Sequence, residues 1–149
     1  MTIGEICTRK VIIAPRSTSV YEAAKLMREY HTGDVVVTDD CDGARKPVGI
    51  LTDRDLVIEI MAQGLDPAGL SVGEVMSGSP VTVRERDGIF ETVASMRSAG
   101  VRRTPVLDSN GDLIGVVSLD DVLELMAEEL GNLANVVRQG KLHEIECRK

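Results

Sequence analysis

The chain contains two copies of one sequence pattern, and this internal repeat limits what the chain can fold into. Residues 3–7 (IGEIC) return 69 positions later as residues 72–76 (VGEVM). After a loop that is three residues longer in the first copy, the offset falls to 66, and 49–55 (GILTDRD) matches 115–121 (GVVSLDD). A solenoid needs about three or more repeats to cover its faces, so two copies favour a pair that closes on itself. The seam of such a pair forms clefts, where ligands tend to bind.

The composition indicates a compact soluble protein and argues against several kinds of partner. With 149 residues, 43% of them hydrophobic, the chain can bury a core. Aromatic residues make up 2% and the formal net charge is −7, so the stacking platforms and basic face of a nucleic-acid binder are missing. The sequence contains no apolar run as long as a membrane span, and residues 1–5 (MTIGE) lack the charged and apolar regions expected of a signal peptide. We therefore expect a cytoplasmic protein that binds neither membranes nor nucleic acid.

Cysteine and histidine residues form no pattern typical of disulfides or metal sites. Cys7, Cys41 and Cys147 lie far apart without CxxC spacing, which predicts free thiols in a reducing compartment. Cys7 takes the position that a methionine fills in the second copy, so we interpret it as a small apolar residue. Cys41 is expected to be a solvated loop thiol. His31 and His143 have no further ligands nearby in the sequence, so no metal site is predicted.

Each copy predicts the element order β-α-β-β-α, which is a mixed α/β (α+β) fold. The predicted strands are 11–13, 35–37, 48–51, 81–83, 105–107 and 113–117. Apolar residues at i, i+4 and i+7 predict an amphipathic helix in each copy, with core positions Val20, Ala24 and Met27, and Ile89, Val93 and Met96. A second helix begins near Asp53 and near Leu119. Gly49 and Gly115, at equivalent strand positions, predict a close approach of another backbone.

The same pattern divides the chain into four parts. We expect a first repeat at 3–62, a linker rich in Gly and Pro at 63–71, a second repeat at 72–127 and a helical tail at 128–149. An apolar stripe continues into this tail and is expected to be interrupted by Gly131 and Gly140. The stripe could cover the core or a dimer partner, and recognition of another protein is the alternative.

These features together resemble a tandem pair of CBS domains, the Bateman module. The resemblance rests on the lead-in Gly-Glu, the stretch 101–106 (VRRTPV) and the junctions 49–55 and 115–121, and it covers about residues 3–127. It implies two repeats related by a pseudo-twofold axis. It further implies regulatory binding of an adenosine ligand such as AMP, ADP, ATP, NAD or S-adenosylmethionine between the repeats, without catalysis or a catalytic cofactor.

The pairs Thr52-x-x-Asp55 and Ser118-x-x-Asp121 allow two interpretations. A carboxylate can accept two hydrogen bonds from the vicinal hydroxyls of a ribose, and the neighbouring hydroxyl and helix N-terminus can bind a phosphate. The same spacing is also a helix capping box, which needs no ligand. The occurrence of the pair at equivalent positions of both repeats, within the family pattern, favours the ligand.

The resemblance implies which residues would complete the first pocket. Thr52 and Asp55 would face the first and second strands of the other repeat, at Ser79, Val81, Arg102, Arg103 and Pro105. An arginine recognises phosphate through a planar, permanently charged group, and adjacent strand residues face opposite ways. We therefore expect Arg103 to bind a phosphate and one of the two arginines to be a solvated charge.

The second pocket departs from this pattern. Ser118 and Asp121 would face Lys10, Ile12, Thr32, Gly33 and Asp34. Asp34 stands where the other pocket has an arginine, so this pocket is predicted to bind more weakly, to prefer the less charged part of a ligand or to stay empty, although Lys10 and His31 would offset part of the charge. Adenine would lie between aliphatic side chains, Ile12 or Val81 on one side and Ile50 or Val116 on the other.

Two functional classes follow. The first is an adenine-nucleotide sensor that acts as a homodimer and passes ligand occupancy to a partner protein. The second is a dimerisation or scaffold module that needs no ligand. We predict no enzyme, because the sequence contains no Ser-His-Asp set, paired catalytic carboxylates or phosphate loop.

Overall fold

Each repeat supplies most of one β-sheet, β4 of the second repeat joins the edge of the first sheet, and equivalent strands of the two sheets pair in the same register. The computed structural model describes residues 1–41 and 44–148, without the side chains of residues 40, 41 and 44, so the expectation for the Cys41 thiol lies outside it. The first sheet has the order β1-β2-β3-β4 and the second β5-β6-β7. In each, a parallel pair is followed by an antiparallel hairpin, and Ala14 opposite Val37 corresponds to Val83 opposite Val106. The mixed α/β fold of two β-α-β-β-α repeats is confirmed.

The strands are β1 (Ile13–Pro15), β2 (Asp34–Cys41), β3 (Ala44–Thr52), β4 (Ser77–Gly78), β5 (Val83–Arg84), β6 (Arg103–Leu107) and β7 (Leu113–Ser118). The helices are α1 (Ile3–Ile6), α2 (Val20–Tyr30), α3 (Asp53–Asp55), α4 (Val72–Val75), α5 (Ile89–Ala99) and α6 (Leu119–Cys147), and a π-helix at Leu56–Met61 continues α3.

The structure corrects three details of the sequence analysis. The first strand of each repeat begins two residues later than predicted, at Ile13 and Val83, because the parallel ladder starts there. The buried face of α2 uses Ala23 rather than Ala24. In α5, Val93 packs partly buried against the second core as predicted, and Thr92 is buried beside it.

Gly131 and Gly140 do not interrupt α6, which runs unbroken to Cys147. A glycine inside a helix destabilises the helix by about 1 kcal/mol relative to alanine but still makes its backbone hydrogen bond. The good helix formers on either side are therefore enough to keep the helix continuous.

The lead-in segment of each repeat packs into the other repeat. Ile3, fully buried, joins the core around Val106 and Val117 of the second repeat, whereas Val72 is buried in the first-repeat core around Val35. Full burial of such a side chain stabilises the fold by about 1.5–3 kcal/mol. The exchange ties the two repeats into one unit.

Backbone hydrogen bonds fix this exchange in both directions. The N–H of Ile3 donates to the carbonyl of Asp87 at 2.9 Å, and that of Val72 donates to the carbonyl of Thr18 at 2.7 Å. Farther along, Thr8 exchanges hydrogen bonds of 2.9 and 3.0 Å with Val116, and β4 pairs with β3.

The close approach predicted at Gly49 and Gly115 is confirmed. A Cβ added to Gly115 would lie 3.1 Å from the Thr8 carbonyl oxygen and 2.7 Å from the Cys7 sulfur, and one added to Gly49 would lie 3.0 Å from the Ser77 carbonyl oxygen. Cys7 packs partly buried against the second core, which confirms its interpretation as an apolar residue. Desolvation by this burial raises the pKa of the Cys7 thiol.

The lead-in glycines provide a test of the exchange. A Cβ at Gly4 would lie 2.9 Å from the carbonyl oxygen of Glu85, which is a backbone atom of the other repeat. We expect Gly4→Ala to lower the free energy of unfolding in urea by about 1–3 kcal/mol through overpacking. The control is Gly78→Ala, whose Cβ would meet no described atom within 4 Å. Equal stability of the two variants would contradict the exchanged packing.

Candidate functional site

A cleft of about 550 Å³ lies between the end of β3 and the start of β6, and we call it the Thr52 cleft. The first repeat contributes the strand end and the first turn of α3, and the second contributes the loop before β6. Its lining residues are Ile50, Thr52, Asp53, Arg54, Asp55, Ser77, Gly100, Val101, Arg102, Arg103 and Asp120. Both repeats are needed to form this cleft.

A smaller cleft of about 210 Å³, which we call the Ser118 cleft, is related to the first by the internal repeat. Here the second repeat supplies the strand end and the first repeat supplies the loop before β2. Its lining residues are Thr8, Lys10, Val11, Ile12, His31, Thr32, Gly33, Asp34, Arg103, Val116, Ser118 and Asp121. Thr8 and Ser77 are equivalent, as are Ser118 and Thr52, so the two clefts share one plan.

Both Ser/Thr-x-x-Asp pairs form reciprocal capping boxes. The N–H of Thr52 donates to Asp55 Oδ2 at 2.8 Å, and the N–H of Asp55 donates to Thr52 Oγ1 at 3.2 Å. In the other cleft, the N–H of Ser118 donates to Asp121 Oδ2 at 2.7 Å, and the N–H of Asp121 donates to Ser118 Oγ at 3.1 Å. Each box fixes the carboxylate at the cleft wall through Oδ2, so the geometry is compatible with both interpretations of the motif.

The first turn of α3 is a less suitable phosphate site than the sequence suggested. The N–H of Asp53 donates to the carbonyl of Gly33 at 3.0 Å, and that of Arg54 donates to Asp53 Oδ1 at 2.8 Å. With the N–H of Asp55 bonded to Thr52, these backbone donors are already satisfied. A phosphate in this cleft would therefore depend on arginine side chains.

The two arginines at the start of β6 have different surroundings. The Arg102 side chain is 75% exposed and its Nη2 lies 3.8 Å from Asp120 Oδ1, a distance typical of a weak surface pair. The Arg103 side chain is 29% exposed, and its Nε lies 2.9 Å from Asp34 Oδ2. Arg102 is thus the solvated charge, whereas Arg103 has an internal partner that the sequence analysis did not identify.

Asp34 is a buried carboxylate balanced by this arginine. Burial raises the pKa of its carboxyl group, the Arg103 charge opposes that effect, and the charges of Asp53 and Asp121 add to it. Asp34 and Arg103 are equivalent under the 69-residue offset, so their ion pair joins the two repeats across the pseudo-twofold axis. The repulsion expected of Asp34 is therefore partly neutralised in this state.

The structure brings together most of the predicted site residues. Ile50, Thr52, Asp55, Arg102 and Arg103 line the Thr52 cleft. The whole predicted set of the second pocket lines the Ser118 cleft, namely Lys10, Ile12, Thr32, Gly33, Asp34, Val116, Ser118 and Asp121.

Three predicted residues lie outside the lining of the Thr52 cleft. Pro105 is buried within the second sheet opposite Val116, Ser79 has a left-handed backbone with φ of 50°, and Val81 is 37% exposed before β5. Ser77 lines the cleft instead, because β4 pairs with β3 and brings it beside Ile50. The equivalence of Ser77 with Thr8 in the repeat was the signal that could have identified it.

Comparisons with known proteins agree with this architecture. A sequence model of the CBS domain matches residues 3–62 and 72–128. The CBS domain-containing protein YhcV of Bacillus subtilis is 31% identical over 144 residues, covering 95% of this chain and 99% of that protein. Hypoxic response protein 1 of Mycobacterium tuberculosis is 33% identical, covering 85% of this chain and 86% of that protein. An uncharacterized protein of Methanopyrus kandleri is 38% identical, and this chain spans 62% of its length.

Solved structures share the same fold. A CBS domain protein of Pyrobaculum aerophilum in complex with AMP has a TM-score of 0.74 at 26% identity, covering 85% of this chain and 99% of that one. Hypoxic Response Protein I with two coordinated zinc ions has a TM-score of 0.72 at 31% identity, covering 83% and 98%. The chain belongs to the CBS domain family and folds as a CBS domain pair.

The part of the chain that the structure describes contains neither a membrane-spanning helix nor a cluster of metal ligands. Across residues 1–41 and 44–148, no helix has the length and hydropathy needed to cross a bilayer. In the same part of the chain, no group of three or more His, Cys, Asp or Glu side chains is arranged to hold a metal ion.

The capping box makes Asp121 important for stability whether or not a ligand binds. Asp121→Ala removes the acceptor of the Ser118 N–H, and we expect a loss of about 1 kcal/mol in the free energy of unfolding. Asp120→Ala is the matched control, since that side chain is 71% exposed and makes the weak pair with Arg102. Urea denaturation of both variants measures the difference, and equal losses would contradict the cap.

Proposed function

We propose that the chain is a regulatory module that binds an adenine nucleotide, principally in the Thr52 cleft. Ligand pockets commonly measure about 300–1,000 Å³. At about 550 Å³ the Thr52 cleft falls within that range, whereas the Ser118 cleft, at about 210 Å³, falls below it. The P. aerophilum relative in complex with AMP supports the choice of ligand class.

The observation that carries the proposal is the fixed carboxylate of Asp55 at the wall of this cleft. Its Oδ2 accepts the hydrogen bond from the Thr52 N–H, which holds the side chain in place. A carboxylate has a second oxygen that can accept further hydrogen bonds. A carboxylate held in advance loses little freedom when it accepts ribose hydroxyls. Arg102 and Arg103 supply the positive charge for the phosphate, and Ile50 supplies an aliphatic surface for adenine.

We assign the module no catalytic role and no catalytic cofactor. Nucleotide occupancy would change the relative affinity of two arrangements of the module, and a partner protein would detect that difference. The alternative is a scaffold whose Asp55 and Asp121 act as caps alone. Because both capping boxes are complete without a ligand, this alternative needs a direct test.

Calorimetric titration of the nucleotide-free protein with AMP, and then with ATP and NAD, tests the proposal. Asp55→Asn keeps an oxygen that can accept the hydrogen bond from the Thr52 N–H but removes the negative charge. If Asp55 acts only as a helix cap, the variant should lose little stability. Hydrogen bonds to a charged group contribute about 1.5–3 kcal/mol, so nucleotide affinity should fall at least about tenfold. Asp66→Asn, in the linker, is the control. Flat titrations with the unmodified protein would favour the scaffold.

We further propose that two copies associate through α6. Val122 near its start is buried, but Leu130, Leu133 and Val137 are 67%, 64% and 62% exposed. With Leu123 and Met126, these residues follow the alternating 3–4 spacing of a coiled-coil seam. The first half of α6 is rich in Asp and Glu, whereas in the second half Arg138 and Lys141 balance Glu144 and Glu146, so an antiparallel arrangement keeps the two acidic halves apart. A 30% identical CBS-CP12 protein from cyanobacteria is hexameric, with a TM-score of 0.76.

Substitution on the exposed stripe tests this association. Leu130→Lys places a charge within the apolar seam, so we expect sedimentation equilibrium to show a shift from dimer to monomer. Asn135→Lys adds the same charge to the opposite face of the helix and should leave the mass unchanged. A monomeric unmodified protein, or equal behaviour of the two variants, would show that α6 does not pair.

A further inference from the structure

Arg103 lines both the Thr52 cleft and the Ser118 cleft. Its Nε lies 2.9 Å from Asp34 Oδ2, and the Asp34 side chain is 10% exposed. The guanidinium group also borders Gly33, where an added Cβ would lie 2.7 Å from Nη2. The same positive charge is thus available to an anion in one cleft and balances a carboxylate in the other.

A phosphate in the Thr52 cleft would compete with Asp34 for this guanidinium group. Removing one partner from a partly buried ion pair is costly, because the remaining charge, here that of Asp34 with 10% of its side chain exposed, is poorly solvated. Loss of the Arg103 partner is more unfavourable still for Asp34, because the negative charges of Asp53 and Asp121 also repel it. The Ser118 cleft becomes more negative whenever Arg103 turns to a ligand in the Thr52 cleft.

We propose that Arg103 couples the two clefts, so that an anionic ligand in the Thr52 cleft disfavours a second anion in the Ser118 cleft and favours an uncharged or cationic ligand there. This inference rests on the proposed nucleotide function, and it adds the chemical class of the second ligand. Coupling between two binding sites is reciprocal, so an anion in the Ser118 cleft would equally disfavour an anionic ligand in the Thr52 cleft. Asp34, which already pairs with Arg103, competes with a phosphate for the same guanidinium group.

Titration of AMP against a double-mutant cycle tests the coupling, with adenosine as the probe that lacks a phosphate. Asp34→Asn frees Arg103, so the AMP affinity of the Thr52 cleft should rise at least about fivefold, the lower end of typical coupling between sites. In the background of Arg103→Gln, Asp34→Asn should leave AMP affinity unchanged within about twofold. Adenosine affinity should not respond to Asp34→Asn in either background.

A charge exchange provides a second test that keeps the ion pair. In the double variant Asp34→Arg with Arg103→Asp, the arginine moves to the equivalent position of the other repeat. The stronger AMP site should then move to the Ser118 cleft, so Asp121→Asn rather than Asp55→Asn should lower AMP affinity at least about tenfold. Thermal unfolding confirms that each variant is folded, and if Asp34→Asn does not fold, the charge exchange decides.

The outcomes separate this inference from the function on which it rests. AMP binding that is insensitive to Asp34→Asn, a matching change for adenosine, or continued dependence on Asp55 in the charge-exchanged protein would overturn the coupling while leaving nucleotide binding in place. Absence of AMP binding to the unmodified protein would overturn both.

Discussion

The exchange of lead-in segments between the two repeats is the constraint on which the rest of the structure depends. Ile3 completes the core of the second repeat and Val72 that of the first, so neither repeat has a complete core alone. The same exchange brings Thr8 to the edge of the second sheet and Ser77 to the edge of the first. These are the positions where the two clefts open, so stability and the geometry of the candidate site have one origin.

The pseudo-twofold axis brings equivalent residues of the two repeats next to each other, which restricts the charges that they can carry. In a strictly symmetric pair, equivalent side chains at the axis would carry the same charge and repel each other. Here the equivalent positions carry Asp34 and Arg103, which attract each other across the seam at 2.9 Å. Divergence of the two copies at this position thus provides a contact between the repeats and makes the two clefts chemically different.

The capping boxes show how one local motif can serve both stability and recognition. Asp55 and Asp121 satisfy backbone N–H groups at the start of a helix, and the same hydrogen bonds hold each carboxylate at a cleft wall. A ligand that uses the second carboxylate oxygen would meet a group that is already oriented. This explains why the spacing of the motif could not decide between a cap and a binding site.

Local patterns and equivalence between the two copies in the sequence determined the order of the elements and the close contacts at Gly49 and Gly115. The resemblance to a CBS domain pair supplied the family and most residues of the Ser118 cleft. Only the tertiary structure decided that Arg103 pairs with Asp34, that Ser77 rather than Ser79 lines the Thr52 cleft and that α6 passes through Gly131 unbroken. The first two depend on which strand edges and side chains meet across the seam between the repeats. The third depends on the summed helix propensity of all residues of α6, so none of the three can be predicted from a short stretch of sequence.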